Sequence, residues 1–96
     1  MNQVVLVGKV LEVSDYNSDE LVSVIVGVEE TNEYFTRLQK FQIFLWENLA
    51  EDFKAKLKEG MHIGVKGRLS DSNHLSDGKV TYHCNVIAEK VTLLEA

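Results

Sequence analysis

Trp46 ends a stretch, Gln39 to Trp46, in which Phe41, Ile43 and Leu45 alternate with Gln42, Phe44 and Trp46. A period of two places Phe44 and Trp46 on one face of a strand, opposite the aliphatic set. Aromatic rings presented this way can stack on flat ligands, and nucleic-acid bases are flat whatever their sequence. The competing assignment is packing, which a lone strand tryptophan more often serves. Lys66 and Arg68 share a strand face with His62, and Arg37, Lys40 and Lys79 could extend the same basic path past a row of phosphates. Tyr34 and Phe35 lie in a charged loop where aromatics have few structural duties, so they too are candidate stacking residues or else fold back onto the domain. Lys54, Lys56, Lys58 and Lys90 are better explained as solubility charges on a helix and near the end of the chain.

Other chemistries find no seat. His83 and Cys84 are adjacent on a strand and point to opposite faces, so they cannot chelate one metal together. Asp15, Asn17 and Asp19 have the spacing that opens a calcium loop, but Glu20 replaces the required glycine and Val26 the bidentate glutamate. Gly60, Gly64 and Gly67 lack the spacing of a phosphate loop. No serine, threonine or cysteine has a base arranged about it. The expectation is a non-catalytic binding protein with no cofactor and no metal.

With 96 residues, 45% hydrophobic and 26% charged, the chain is expected to form one globular domain over residues 1–96. So short a domain buries a modest core, and a partner subunit would stabilise it. The net charge of −5 argues against a general polyanion-binding surface. The acids crowd two candidate loops, Asp15 to Glu20 and Glu29 to Glu33, which leaves room for a basic strand face with acidic edges. A single cysteine, Cys84, excludes an intrachain disulfide and fits a reducing cytoplasm. No signal peptide is visible, and the apolar runs fall far short of the roughly 20 residues of a membrane helix.

The elements that must position these residues follow from periodicity. Gln3 to Val13 reads as a strand apolar on both faces, with Val4, Leu6 and Val10 on one and Val5, Val7, Leu11 and Val13 on the other. After a turn at Ser14 to Glu20, Leu21 to Val28 forms a second strand with Val22, Val24, Val26 and Val28 on one side. A charged loop, Glu29 to Leu38, leads to the third strand, Gln39 to Trp46. From Asn48 the repeat of Leu49, Phe53 and Leu57 predicts an amphipathic helix with Asn48 as N-cap and Gly60 as C-cap. Met61 to Ser70 is a fourth strand in which Ile63, Val65 and Leu69 point inward and Gly64 and Gly67 mark bends. Asp77-Gly78 is a hairpin turn, and Lys79 to about Leu94 a long, bent fifth strand. The order β-β-β-α-β-β predicts an all-β fold with one short helix, a five-stranded barrel that curls on itself.

Such a barrel looks like an OB-fold. The chain resembles the bacterial single-stranded DNA-binding protein family in NQVVLVGKV, in FLWENLAEDFKAKLKEGMHIGVKGRLS and in DGKVTYHCNVIAEKVTLLE. The resemblance implies a binder of single-stranded DNA in replication, recombination or repair, assembled as a homodimer or homotetramer. Val5 and Val7 are then expected at the seam between first strands. Trp46 matches the family's aromatic at the end of the third strand. Lys40 stands where many members place an aromatic, His74 near the family's aromatic in the loop between the fourth and fifth strands, and Glu30 and Thr31 about where another is common. These departures favour a rival reading, an OB-fold protein-interaction or assembly module with weak or lost DNA binding. The family's long tail with its acidic, partner-recruiting tip is absent from a sequence that stops at Leu94-Glu95-Ala96, so the expectation is either a minimal member or an isolated domain, with replication or repair proteins as possible partners.

Overall fold

β-Branched residues at alternate positions need one buried face. In the computed structural model, which describes residues 1–15 and 20–94, Val22, Val24 and Val26 are all 0% exposed. They lie on β2 (Leu21–Thr31), between β1 (Val4–Asp15) and β3 (Thr36–Trp46). Helix α1 (Glu47–Phe53) follows, then β4 (His62–Asp71), the short β5 (His74–Ser76) and β6 (Lys79–Thr81), and β7 (Cys84–Leu94). Five strands close into a barrel in the order β1-β2-β3-β7-β4, and β5 and β6 form a separate hairpin. The expected all-β barrel with one helix after the third strand is therefore present.

Closure depends on β1 serving two neighbours. Its first half, Val4 to Lys9, pairs with β4, and its second half, Lys9 to Asp15, pairs with β2. The strand bends between them at a bulge, where Val10 faces Val26 and Glu12 faces Ile25, leaving Leu11 without a partner. The extra residue reverses the alternation beyond it. Val13, expected beside Val5 and Val7, instead packs on the core, while Val5 and Val7 stay exposed. Backbone bonds from Gly60 N to Val10 O (2.8 Å) and from Val10 N to Met61 O (2.7 Å) secure the bend. The Asn2 side chain extends the β1–β4 ladder by one step, donating to Leu69 O and accepting from Leu69 N, each at 2.8 Å.

Other expectations are corrected. The helix stops at Phe53 and not near Gly60, because Lys56 N and Leu57 N both turn back to Phe53 O. Trp46, rather than Asn48, is the N-cap, without a side-chain cap bond. Leu57 still reaches the core from the turns that follow. The loop expected over Glu29 to Leu38 is mostly strand, since β2 and β3 stay in register out to Thr31 and Thr36. Leu69 keeps its inward parity, opposite Val86, but is exposed and not buried as expected. The long final strand is broken at Tyr82–His83, where Ser72 N donates to His83 O (3.0 Å) and His83 N to Asn73 Oδ1 (3.3 Å). The Asp77-Gly78 hairpin turn is as expected, both residues having positive φ, 52° and 76°. The turn expected between Ser14 and Glu20, with the Asn17 and Asp19 of the calcium spacing, lies outside the described residues.

Two strand glycines that read alike in the sequence differ in space. A Cβ on Gly67 would collide with the Ile87 carbonyl across the ladder, whereas one on Gly64 would meet nothing closer than Thr92 Cβ at 3.9 Å. Gly67→Ala is therefore expected to destabilise the barrel by about 1–3 kcal/mol in urea denaturation. Gly64→Ala is expected to be neutral or slightly stabilising, since alanine loses less backbone freedom on folding.

Candidate nucleic-acid interface

The continuous β2–β3 register fixes which side chains leave the barrel. Leu45, Ile43 and Phe41 pair with Val22, Val24 and Val26 on the inside; Trp46, Phe44, Gln42 and Lys40 pair with Leu21, Ser23, Ile25 and Gly27 on the outside. Phe44 is half-buried, and Trp46 is 48% exposed. The chain turns sharply just after the tryptophan. Glu47 takes φ 52°, and its N–H donates to Glu20 O at 2.8 Å, so the indole is held at the rim where strand becomes helix. Beside it the Gln42 side-chain amide donates to Ser23 Oγ at 3.0 Å, so this part of the surface is held by a polar tie.

The basic residues divide. On the outer wall, β7 places Ile87 next to Phe44, and β4 places Arg68 next to Ile87. Arg68 is thus about 10 Å from Phe44 along the sheet, at roughly 4.8 Å per strand. Lys40 is on the same face of β3 as Phe44 and Trp46. Arg37 is not, because odd positions of β3 face the other way, and it is tied to Glu30 (Nε to Oε1, 3.4 Å), which also accepts from Gln39 Nε2. Lys66 and His62 share the outward parity of Arg68 but lie next to β1, opposite Val5 and Lys9. His74 and Lys79 share one face of the β5–β6 hairpin, and Leu75 and Val80 the other. Lys56, read from the sequence as a solubility charge, covers the Phe53 ring, 5.5 Å from its centroid.

Tyr34 and Phe35 occupy the tip of the β2–β3 ribbon, where both backbone N–H groups donate to Asn32 Oδ1 (2.8 and 3.1 Å). Tyr34 is 85% exposed. The tip lies at the far end of β3 from Trp46, roughly 34 Å away at about 3.4 Å per residue, so these rings do not join the Phe44–Trp46 surface. Sequence reasoning overlooked Ile87 and Tyr82. The alternation of Val86 and Ala88 inward already placed Ile87 outside. Tyr82 was hidden because it was read as strand interior, whereas it stands exposed at the break between β6 and β7.

Among the described residues no cluster of three or more His, Cys, Asp or Glu side chains is gathered for a metal, and no helix is long and apolar enough to cross a membrane. The profile of the Single-strand binding protein family matches residues 1–94. The chain is 34% identical to Single-stranded DNA-binding protein 2 of Listeria innocua and 33% identical to the Single-stranded DNA-binding protein of Bacillus cereus, in each case over 99% of its own length. It spans 65% and 61% of the length of those relatives. Among solved structures, that of a Plasmodium falciparum SSB complex with ssDNA superposes with a TM-score of 0.78 at 16% identity, covering 99% of this chain and 96% of the other. A mitochondrial single-stranded DNA binding protein from S. cerevisiae superposes with a TM-score of 0.76 at 11% identity, covering 97% and 94%. The fold is thus an OB-fold.

Exposure at the rim separates a surface tryptophan from a core one. Trp46→Ala is expected to cost no more than about 1.5 kcal/mol in urea denaturation, against about 2–5 kcal/mol for Leu45→Ala at the 0% exposed neighbouring position. Iodide should quench the emission of the folded protein, since this is its one tryptophan.

Proposed function

The chain belongs to the single-strand binding protein family, and from that premise we propose that it binds single-stranded DNA without catalysis, shielding and organising exposed strands during replication, recombination or repair. The observation that carries this reading is the half-exposed Trp46 at the barrel rim, on the same outward face as Phe44. Bases stack on these rings, and Arg68 and Lys40 meet the phosphates on either side. Stacking contributes about 1–3 kcal/mol per base and tolerates every sequence. The Plasmodium falciparum protein of the same fold, solved with ssDNA, supports the assignment. The rival assembly-module reading is not favoured, because a module that had lost DNA binding would have no use for an exposed tryptophan at this rim.

The same proposal covers assembly and location. Before Lys9, β1 pairs only with β4, so its other edge is open there, and the exposed Val5 and Val7 flank it. A second copy of β1 pairs there, giving a homodimer or, from two dimers, a homotetramer. The site of action is cytoplasmic, with replication or repair proteins as partners.

Adding oligothymidine is expected to quench Trp46 fluorescence, and Trp46→Ala to weaken binding by about 1–3 kcal/mol. Strong binding with no change in emission would remove the stacking role, and no binding at low salt would restore the rival. In sedimentation, Val7→Glu should lower the mass of the particle. A wild-type monomer at micromolar concentration would exclude the β1 seam.

A further inference from the structure

β3 is paired on one edge only for most of its length. It runs in register with β2 from Thr36 to Trp46, whereas β7 meets its other edge at Ile43 and Phe44 alone. Among the described residues no strand pairs with that second edge from Thr36 to Gln42. A shallow hollow lined by Arg37, Leu38, Gln39, Lys40 and Phe41 runs along it. Unpaired N–H and C=O groups in a row are a template for a further strand. Leu38, near the middle of this edge, is 48% exposed. Its neighbours on either side include the cations Arg37 and Lys40, and β3 itself holds no acid.

We propose that the open β3 edge is a contact with a second copy of the chain, in which two β3 strands pair antiparallel with Leu38 facing its own copy. A two-fold axis normal to the sheet keeps each face on its own side, so only residues of like parity meet and one residue faces itself. Centred on Arg37 or Lys40, the ladder would set a cation against its own copy, which destabilises a sheet. Centred on Gln39, it would carry the tip of one ribbon toward the place that β7 takes beside Ile43 of the other copy. Centred on Leu38, it joins two exposed leucines, sets Arg37 against Gln39 and Lys40 against Thr36, and keeps the tip clear. β2 separates β1 from β3, so this contact and the β1 seam form together. Strand addition lies in the plane of the sheet and leaves the outer face of Phe44 and Trp46 open. So short a ladder is weak in free solution and forms where copies are crowded on one strand of DNA. That crowding rests on the proposed function; the contact itself does not.

The test compares Leu38→Cys with Lys40→Cys, each in a Cys84→Ser chain. Directly opposed residues of an antiparallel pair have Cα atoms about 4.5–5.5 Å apart, within reach of a disulfide. Under mild oxidation of the concentrated protein, Leu38→Cys should therefore cross-link to itself and Lys40→Cys should not. A long oligothymidine should raise the yield severalfold over one of about 8 nucleotides, which a single OB-fold can fill. Independently, Leu38→Lys and Leu38→Glu should each lower the mass seen in sedimentation at high concentration, and an equal mixture of the two should restore it. In Val7→Glu, which opens the β1 seam, dimers should persist at high concentration and disappear when Leu38→Lys is added. No cross-link at position 38, or equal cross-linking at 38 and 40, overturns the contact, and so does a mixture that stays dissociated. An unchanged yield with a long strand that does quench Trp46 overturns the crowding on DNA. If oligothymidine does not bind at all, the proposed function fails, while the cross-link and the mixture still decide the contact.

Discussion

The barrel closes where β3 and β7 run parallel over two residue pairs, Ile43 with Val86 and Phe44 with Ile87. One pair faces inward, with Ile43 at 0% and Val86 at 5% exposure, and the other faces out. The packing that seals the core therefore also sets Phe44 beside Ile87 on the wall. Parallel strands cannot be joined by a tight turn. The connection between these two holds α1, β4 and the β5–β6 hairpin, and its first turn fixes Trp46 at the rim. Candidate site and barrel closure are two sides of one junction.

The proposed binding of a polyanion by an acidic chain needs the charges kept apart. The net charge is −5, yet Glu29, Glu30 and Glu33 gather toward the tip of the β2–β3 ribbon, about 27 Å or more from Trp46 along β3 at about 3.4 Å per residue. At physiological ionic strength the screening length is about 8 Å, so the tip contributes little potential at the rim. Glu30 is in addition tied to Arg37 and Gln39. Of the other cations, Lys40, Lys66, Arg68 and Lys90 are on the outer wall of the barrel. Total charge is only a partial guide, because the ribbon carries these three acids away from the rim while Glu20 and Glu47 stay beside Trp46.

Periodicity carried much of the fold. The alternation of Val22, Val24 and Val26, and of Ile43 and Leu45, is the barrel interior as read, and Phe44 and Trp46 are outside as read. What periodicity could not supply was the bulge at Leu11, since one extra residue changes the face of Val13 without leaving a mark in composition. The break at Tyr82–His83 was equally silent, being made by hydrogen bonds to residues 72 and 73, about ten positions earlier in the chain. The grouping of basic residues failed for a related reason. Arg37 and Lys40 are neighbours in sequence but three apart on a strand, hence on opposite faces.

The central claim is that a single strand lies on the outer wall at the β3–β7 junction and not on the exposed aromatic tip of the ribbon. Residue-resolved amide chemical shifts, followed while oligothymidine is added, test it most directly. The largest changes are expected at Phe44, Trp46, Ile87 and Arg68, with Asn32 to Phe35 unmoved. Changes concentrated at Tyr34 and Phe35, with Phe44 and Trp46 silent, would contradict it.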